Sequence, residues 1–123
     1  MPAKILIVDD HAAIRSIIDT ILTNAGYECM TASSGETALE MARRFKFDLV
    51  ILDVNMPRMS GLEVLGRIRR WTSSVLMVTA DSSVDTVREA VALGCDGYVA
   101  KPIEPALLLS RVKRVLARGS ATH

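Results

Sequence analysis

The chain has 123 residues, of which 50% are hydrophobic and 24% are charged, and this is enough apolar material for one globular domain with a single core. A formal net charge of +1 gives no global field that would favour nucleic acid or an anionic membrane surface, and no apolar run approaches the roughly 18 residues that span a bilayer. Two widely spaced cysteines and the lack of a signal-peptide pattern indicate a reduced, cytoplasmic protein.

Five short runs along the chain have the composition of β-strands. The most apolar of them show no polar alternation, which is typical of a parallel sheet that helices cover on both faces. The five runs are residues 5–8, 27–32, 49–52, 75–78 and 97–100.

Apolar residues at helical spacing occupy the segments between these runs. In chain order they are Ile14, Ile17, Ile18, Ile21 and Leu22; Ala38, Met41, Ala42 and Phe45; Leu62, Leu65 and Ile68; Val84, Val87 and Val91; and Leu108, Val112, Val115 and Leu116. Strict alternation of five strands with five helices predicts an α/β fold with a doubly wound, flavodoxin-like parallel sheet in the order 2-1-3-4-5. We expect a single domain over residues 1–123, with its core from about 4 to 118 and a frayed tail at 119–123.

Carboxylates directly follow two of the predicted strands. Asp9 and Asp10 end the first strand and Asp53 ends the third, and these two strands meet at the switch point of this strand order, where ligands bind. Two such charges about 4 Å apart repel each other by roughly 4 kcal/mol at an effective dielectric constant near 20. A divalent cation would remove this repulsion, and oxygen ligands with open coordination positions suit Mg²⁺. One acid of the first pair could also cap the first helix.

Two further polar residues end strands at the same edge of the sheet. Thr79 ends the fourth strand and offers a hydroxyl, and Lys101 ends the fifth and offers an ammonium group suited to a phosphoryl oxygen. A metal ion, an ammonium and a hydroxyl that face the carboxylate of Asp53 would form a site for phosphoryl transfer, in which catalysis rests on positioning and charge neutralisation.

Four signatures at these strand ends together resemble the receiver domain of bacterial two-component response regulators. They are Val-Asp-Asp at 8–10, Asp-Val-Asn-Met-Pro-Arg-Met-Ser-Gly at 53–61, Thr-Ala at 79–80 and Tyr-Val-Ala-Lys-Pro at 98–102. The resemblance runs from about residue 4 to residue 118. Ile103 departs from the commonest pattern, in which Phe follows Lys-Pro, and this departure leaves the partner open.

The resemblance implies a phosphoacceptor and a set of metal ligands. Asp53 would accept a phosphoryl group from a phosphohistidine of a sensor histidine kinase or of a histidine phosphotransferase. Asp10 and Asp53 would bind Mg²⁺ through their side chains, Asn55 through its backbone carbonyl and Asp9 mainly through water.

The resemblance also implies a switch. Lys101 would pair with the phosphoryl group, Thr79 would move toward it, and Tyr98 would turn inward into the space that Thr79 leaves. A cis peptide bond before Pro102 would aim Lys101 into the site. We further hypothesise that Asp81 and Asn55 flank the path of an attacking water and set the lifetime of the phosphoryl group, whereas His11 is expected to be a surface residue.

These expectations describe a phosphorylation-dependent signalling module that phosphorylates and dephosphorylates itself rather than an enzyme that turns over a substrate. Its output would be read by a downstream protein on the face formed by the fourth helix, the fifth strand and the fifth helix. The module would be a monomer or a phosphorylation-linked dimer with no direct contact to nucleic acid or membrane. Because the chain ends shortly after the fifth helix, it would be either a stand-alone receiver or a fragment of a longer regulator.

Three other functions share some of these features. A Mg²⁺-dependent, phosphatase-like hydrolase would also use an Asp nucleophile, but it usually has a second Asp where this chain has Asn55. A flavodoxin-like cofactor binder would need a glycine- or hydroxyl-rich phosphate loop where residues 9–13 begin with two acids. A binding module independent of phosphorylation would have no use for the full set of acids, threonine and lysine.

Overall fold

A computed structural model describes residues 2–121, with side chains described up to residue 119. The strands are β1 (Lys4–Val8), β2 (Glu28–Ala32), β3 (Leu49–Leu52), β4 (Val75–Thr79) and β5 (Gly97–Ala100). The helices are α1 (Ala12–Asn24), α2 (Gly35–Arg44), α3 (Gly61–Ile68), α4 (Val84–Ala92) and α5 (Pro105–Ala121).

The strands form one parallel sheet in the order β2-β1-β3-β4-β5, which confirms the predicted topology. Val8 of β1 is in register with Leu52 of β3, so the acids that follow these residues leave the sheet side by side. Thr79 is in register with Ala100, the residue before Lys101. The register therefore brings the predicted site residues to one edge of the sheet.

The hydrophobic core lies on both faces of the sheet because the side chains of each strand alternate between them. On one face Ile5 and Ile7 of β1 pack with buried residues of α1 and α5. On the other, Leu6 and Val8 pack with buried residues of α2, α3 and α4. All four residues of β3 are buried, which explains the continuous apolar run at 49–52.

Three helices begin at a serine that caps them. The hydroxyls of Ser34, Ser60 and Ser83 accept hydrogen bonds from the backbone N–H three residues later, at the starts of α2, α3 and α4 respectively. Helix α1 differs, because the residue before its first turn is His11, whose side chain makes no capping hydrogen bond. The expectation that Asp9 or Asp10 occupies this capping position is therefore wrong.

Predicted apolar faces of three helices differ from the structure. In α1, Ile17 is 47% exposed although it belongs to the predicted apolar spacing of that helix. Phe45 follows the last residue of α2 and is 48% exposed, so it is not part of the inner face of that helix. Val84 and Val91 of α4 are 63% and 61% exposed, and the buried residue of this helix is Ala90. Helix α4 thus turns two valines outward, where apolar spacing predicted a core-facing stripe.

The C-terminal helix extends further than the sequence predicted. Helix α5 continues to Ala121, whereas a frayed tail was expected from residue 119, and residues 122 and 123 of that tail lie outside the described residues. Within residues 2–121, no helix is both long and apolar enough to cross a bilayer.

Helix α3 starts in direct contact with the backbone of the segment that follows β3. The Gly61 N–H donates to the Val54 carbonyl over 2.8 Å. A Cβ on Gly61 would lie 1.9 Å from the carbonyl oxygen of Asp53, which is far inside van der Waals contact. The absence of a side chain at residue 61 therefore fixes how closely α3 approaches the segment that carries Asp53.

Replacing Gly61 with Ala should lower the free energy of unfolding by about 2 kcal/mol or more, because the backbone of residue 53 must move to relieve the overlap. The matched control is Gly66→Ala in the same helix, where an added Cβ meets its nearest heavy atom at 3.8 Å. That substitution should raise the free energy of unfolding by about 0.5–1 kcal/mol through helix propensity. Urea unfolding measures both values, and equal effects of the two substitutions would contradict the close approach.

Candidate functional site

Two carboxylates are buried at the carboxyl edge of the sheet. The side chains of Asp9 and Asp53 are only 2% and 4% exposed. The Asp53 N–H donates to the Val8 carbonyl over 3.1 Å, so parallel pairing of β1 and β3 continues one step into the site and holds the two acids together. Asp10, the third predicted acid, is partly exposed beside them.

One ammonium group bridges the two buried acids. Lys101 Nζ lies 2.8 Å from Asp9 Oδ2 and 2.9 Å from Asp53 Oδ2. Lys101 directly follows β5, its N–H donates to the Thr79 carbonyl over 2.9 Å, and its peptide bond to Pro102 is cis, as the resemblance implied. Residues 92 and 48 positions apart in the chain therefore share one hydrogen-bonded cluster.

The charge of Lys101 is stabilised in this cluster. Burial by itself would lower the pKa of Lys101, but hydrogen bonds to Asp9 and Asp53 outweigh the burial, and the pKa is raised above that of free lysine. A raised folded-state pKa means that the ion pairs contribute fully to stability below the pKa of free lysine. The contribution is lost as the pH rises through the folded-state pKa of Lys101.

Backbone N–H groups orient the outer oxygens of both buried acids. Asp9 Oδ1 accepts from the His11 N–H over 2.9 Å, and Asp53 Oδ1 accepts from the Asn55 N–H over 3.1 Å. In both cases the donor lies two residues after the acid, in the turn that leaves the strand. These turns fix each carboxylate with Oδ2 toward Lys101 and Oδ1 toward the backbone N–H of the turn.

The acids at this edge can hold a divalent cation. Asp10 Oδ1 is buried from solvent and has no hydrogen-bond partner among the described residues, so one oxygen of the cluster is left to bind a ligand. Single ligand atoms of Asp9, Asp10, His11 and Asp53 lie within 4.8 Å of one another. Opposite ligands of an octahedral ion with bonds of about 2.1 Å are about 4.2 Å apart, so the cluster needs only a small contraction to close on Mg²⁺. The backbone carbonyl of Asn55 stays a predicted ligand.

The two predicted switch residues meet at the backbone of Asp81. The Thr79 side chain is fully buried and its hydroxyl accepts from the Asp81 N–H over 3.2 Å. The Tyr98 hydroxyl donates to the Asp81 carbonyl. Burial, followed by the nearby charge of Asp81, raises the pKa of Tyr98, so its phenol stays a proton donor. The movements of Thr79 and Tyr98 stay predictions.

The side chain of Asp81 is engaged at the start of α4. Its Oδ1 accepts from the Ser83 N–H over 3.1 Å, and its Oδ2 accepts from the Thr86 hydroxyl over 3.0 Å. The backbone bond from Ser83 is the largest cause of a lowered pKa for this carboxyl. Asp81 therefore connects the end of β4 to α4. Its hypothesised position beside the path of an attacking water stays a prediction.

Two residues that contact the site were not predicted from the sequence to do so. His11 is exposed, as expected, but its ring nitrogen Nδ1 lies 3.2 Å from Asp9 Oδ1 and 3.2 Å from Asp10 Oδ1. The signal available in the sequence was adjacency, since His11 directly follows the two acids. The second residue is Arg15, whose guanidinium donates to the Asp9 carbonyl over 2.8 Å.

Comparisons with known proteins agree with this geometry. A family model described as the response regulator receiver domain matches residues 5–113. Among curated proteins, the chain is 43% identical over 117 residues to the probable transcriptional regulator ycf27 of Porphyra purpurea, a match that covers 94% of this chain and 48% of the relative. The chain spans about half the length of the curated relatives that it matches.

Solved structures share the fold over nearly the whole chain. A CheY-like response regulator receiver domain from Methanospirillum hungatei has a TM-score of 0.96 and 30% identity, with 100% of both chains covered. A CheY from Borrelia burgdorferi, solved in a complex with CheX, BeF₃ and Mg²⁺, has a TM-score of 0.89 and 30% identity over 94% of this chain and 90% of that chain.

Replacing Lys101 with Ala should lower the free energy of unfolding in metal-free buffer by about 3 kcal/mol, because two buried carboxylates lose their shared counter-ion. Adding Asp53→Asn to this variant should recover part of the loss, since one of the two repelling charges is then removed. Lys113→Ala, at an exposed position of α5, is the matched control and should change the value little. Urea unfolding with a chelator present measures the free energy of unfolding of all three variants. If adding Asp53→Asn to Lys101→Ala lowered this free energy further, repulsion between the two buried carboxylates would not be the cause of the destabilisation.

Proposed function

Because this chain belongs to the response regulator receiver family, we propose that it is a phosphorylation-controlled signalling module whose phosphoacceptor is Asp53. The observation that carries this proposal is the pair of contacts from Lys101 Nζ, at 2.8 Å to Asp9 and 2.9 Å to Asp53. They bring an ammonium group to a buried carboxylate at the edge where a phosphoryl group would enter. The donor would be a phosphohistidine of a sensor histidine kinase or of a histidine phosphotransferase.

The transfer is a substitution at phosphorus. A carboxylate oxygen of Asp53 forms a P–O bond while the P–N bond to the donor histidine breaks, and the imidazole nitrogen keeps the electron pair of that bond. Lys101 then exchanges its bond to the Asp53 carboxylate for one to a phosphoryl oxygen, since a phosphoryl group offers more negative charge than an esterified carboxyl. Burial of Asp53 favours the reaction because few waters compete with the donor at that oxygen.

The acids of the site would hold Mg²⁺, with Asp10 and Asp53 as carboxylate ligands, Asn55 as a carbonyl ligand and Asp9 mainly through water. The Oδ1 of Asp10, which is buried and accepts no hydrogen bond from the described residues, supports this assignment, as does the Mg²⁺ in the CheX complex of the related CheY. The ion would neutralise charge that develops on the transferred oxygens.

Phosphorylation would be read at the face formed by α4, β5 and α5. Thr79 keeps its hydroxyl proton while its oxygen accepts from Asp81, so it can donate to a phosphoryl oxygen. A shift of Thr79 would disturb the Asp81 backbone, and the Tyr98 hydroxyl is bonded to the same residue. Since Asp81 also bonds to the start of α4, a change at the phosphoryl group has a continuous route to the valines on the outer side of that helix.

The partners of the whole protein are also proposed from these comparisons. Relatives of about twice the length are described as transcriptional regulators. The output of this module would therefore be control of transcription, either through a further domain of a longer protein or through contacts with a separate protein. We expect the module to carry one phosphoryl group per cycle rather than to turn over a substrate. The hydrolase alternative lacks its second acid, since residue 55 is Asn and its N–H donates to Asp53.

Incubation with Mg²⁺ and a small phosphodonor such as acetyl phosphate should add one phosphoryl group to the native chain and none to Asp53→Asn. Intact-mass measurement reads the result directly. Asp85→Asn, at an exposed position of α4, is the matched control and should be phosphorylated like the native chain. Equal phosphorylation of Asp53→Asn would overturn the assignment, and sustained hydrolysis of a phosphate ester would favour the hydrolase.

Replacing Asp81 with Ala should lengthen the lifetime of the phosphoryl group by about tenfold, because the hypothesised orientation of an attacking water by this carboxylate would be lost. The effect is smaller than the loss of a general base would cause, since Asp81 would orient the water without taking its proton. The phosphorylated chain is separated from donor and its mass is followed over time. Asp85→Ala removes the other acid near the start of α4 and controls for the charge of that helix end. An unaltered lifetime in Asp81→Ala would remove the idea and leave Asp81 with the bonds to Ser83 and Thr86 alone.

A further inference from the structure

The imidazole of His11 faces the acidic cluster from the solvent side. Its Nδ1 lies 3.2 Å from Asp9 Oδ1 and 3.2 Å from Asp10 Oδ1, and its ligand atom belongs to the same compact group as those of the three acids. The residue is exposed, so an ion could reach this side of the cluster without moving the core.

The backbone holds His11 in this position. Its N–H donates to Asp9 Oδ1 over 2.9 Å, which fixes the turn between β1 and α1. His11 has an extended backbone conformation (φ −92°, ψ 114°) as the residue that precedes α1, yet its side chain makes no hydrogen bond to the helix N-terminus. The ring therefore faces the carboxylates and does not cap the helix N-terminus.

Hydrogen bonding accounts for only one of the two contacts of the ring. Nδ1 and Asp9 Oδ1 have hydrogen-bond geometry, whereas Asp10 Oδ1 is buried and has no hydrogen-bond partner among the described residues, although Nδ1 is just 3.2 Å away. Adjacent ligands of an octahedral ion with bonds of about 2.1 Å lie about 3.0 Å apart. The separation of Nδ1 from Asp10 Oδ1 is thus close to that of two ligands of one ion.

Lys101 does not compete for this position. It bonds to Asp9 Oδ2 and Asp53 Oδ2, whereas His11 faces the Oδ1 atoms of Asp9 and Asp10. An ion beside His11 and the ammonium group of Lys101 can therefore be present together, on opposite sides of the Asp9 carboxylate.

We propose that His11 Nδ1 is an additional ligand of the cation held by this cluster, so that the site binds divalent transition-metal ions in preference to Mg²⁺. To bind the ion, Nδ1 gives up its hydrogen bond to Asp9 Oδ1, and the ring carries its proton on Nε2. The proposal rests on the metal site of the proposed function and assigns it a nitrogen ligand. Imidazole nitrogen suits ions such as Ni²⁺, whereas Mg²⁺ takes oxygen ligands and keeps its waters.

The test compares the native chain with His11→Gln, which keeps a polar side chain of similar length but removes the imidazole. Isothermal titration should show that the Ni²⁺ affinity of His11→Gln is at least about tenfold lower than that of the native chain. Loss of a residue that only supports a metal ligand already lowers the affinity by about this factor, so loss of a ligand should lower it at least as much. The Mg²⁺ affinity should change by less than about threefold, since a hard ion gains little from imidazole. His123→Gln removes the other histidine of the sequence and should leave both affinities unchanged.

Pulsed EPR of the Mn²⁺-loaded native chain provides a readout that is independent of any variant's stability. It should show ¹⁴N coupling from a bound imidazole, and the coupling should be lost in His11→Gln and kept in His123→Gln. Bound Mn²⁺ without ¹⁴N coupling, or equal losses of Ni²⁺ and Mg²⁺ affinity, would overturn this inference and leave the proposed phosphoacceptor function intact. A chain with ¹⁴N coupling that takes up no phosphoryl group would support the nitrogen ligand and contradict the proposed function.

Discussion

Three acids and one ammonium group at a single edge of the sheet set the conditions for everything else in this structure. Lys101 offsets one negative charge by bridging Asp9 and Asp53, and with Asp10 included the cluster keeps two uncompensated negative charges. A divalent cation carries the charge that would balance this cluster. The fold thus presents buried carboxylates that backbone N–H groups orient and that lack a full set of counter-charges. This arrangement suits the proposed site, which would bind a cation together with a phosphoryl group.

Much of the fold was predictable because a strand that is buried on both faces has a continuous apolar sequence. All residues of β3 are buried, so its sequence is a continuous apolar run, and the acid that follows must lie at the strand end. Alternation of strands and helices then predicts a doubly wound parallel sheet, for which 2-1-3-4-5 is one of the common strand orders. Parallel sheets place all carboxyl ends at one edge, so strand-end residues gather there whatever their distance along the chain.

Other features were not predictable, for physical reasons that differ from residue to residue. Valines at helical spacing look the same in sequence whether they face the core or solvent, so the outward position of Val84 and Val91 and the burial of Ala90 had to come from the packing of α4. The contact of His11 with two acids depends on a turn and on one side-chain rotamer, and adjacency in the sequence determines neither. Likewise, the bond from Thr86 to Asp81 depends on where α4 begins.

Helix α4 has few buried contacts with the rest of the domain. Of its nine residues Ala90 alone is fully buried, while Asp81 Oδ2 and Ser83 Oγ accept hydrogen bonds from Thr86 in its first turn. Substitutions on its outer side therefore cost little folding free energy, so this surface can diverge between related proteins while the acids and the lysine stay constrained. The outer side of α4 can thus accumulate substitutions that are nearly neutral for stability, whereas the buried acids and the lysine cannot.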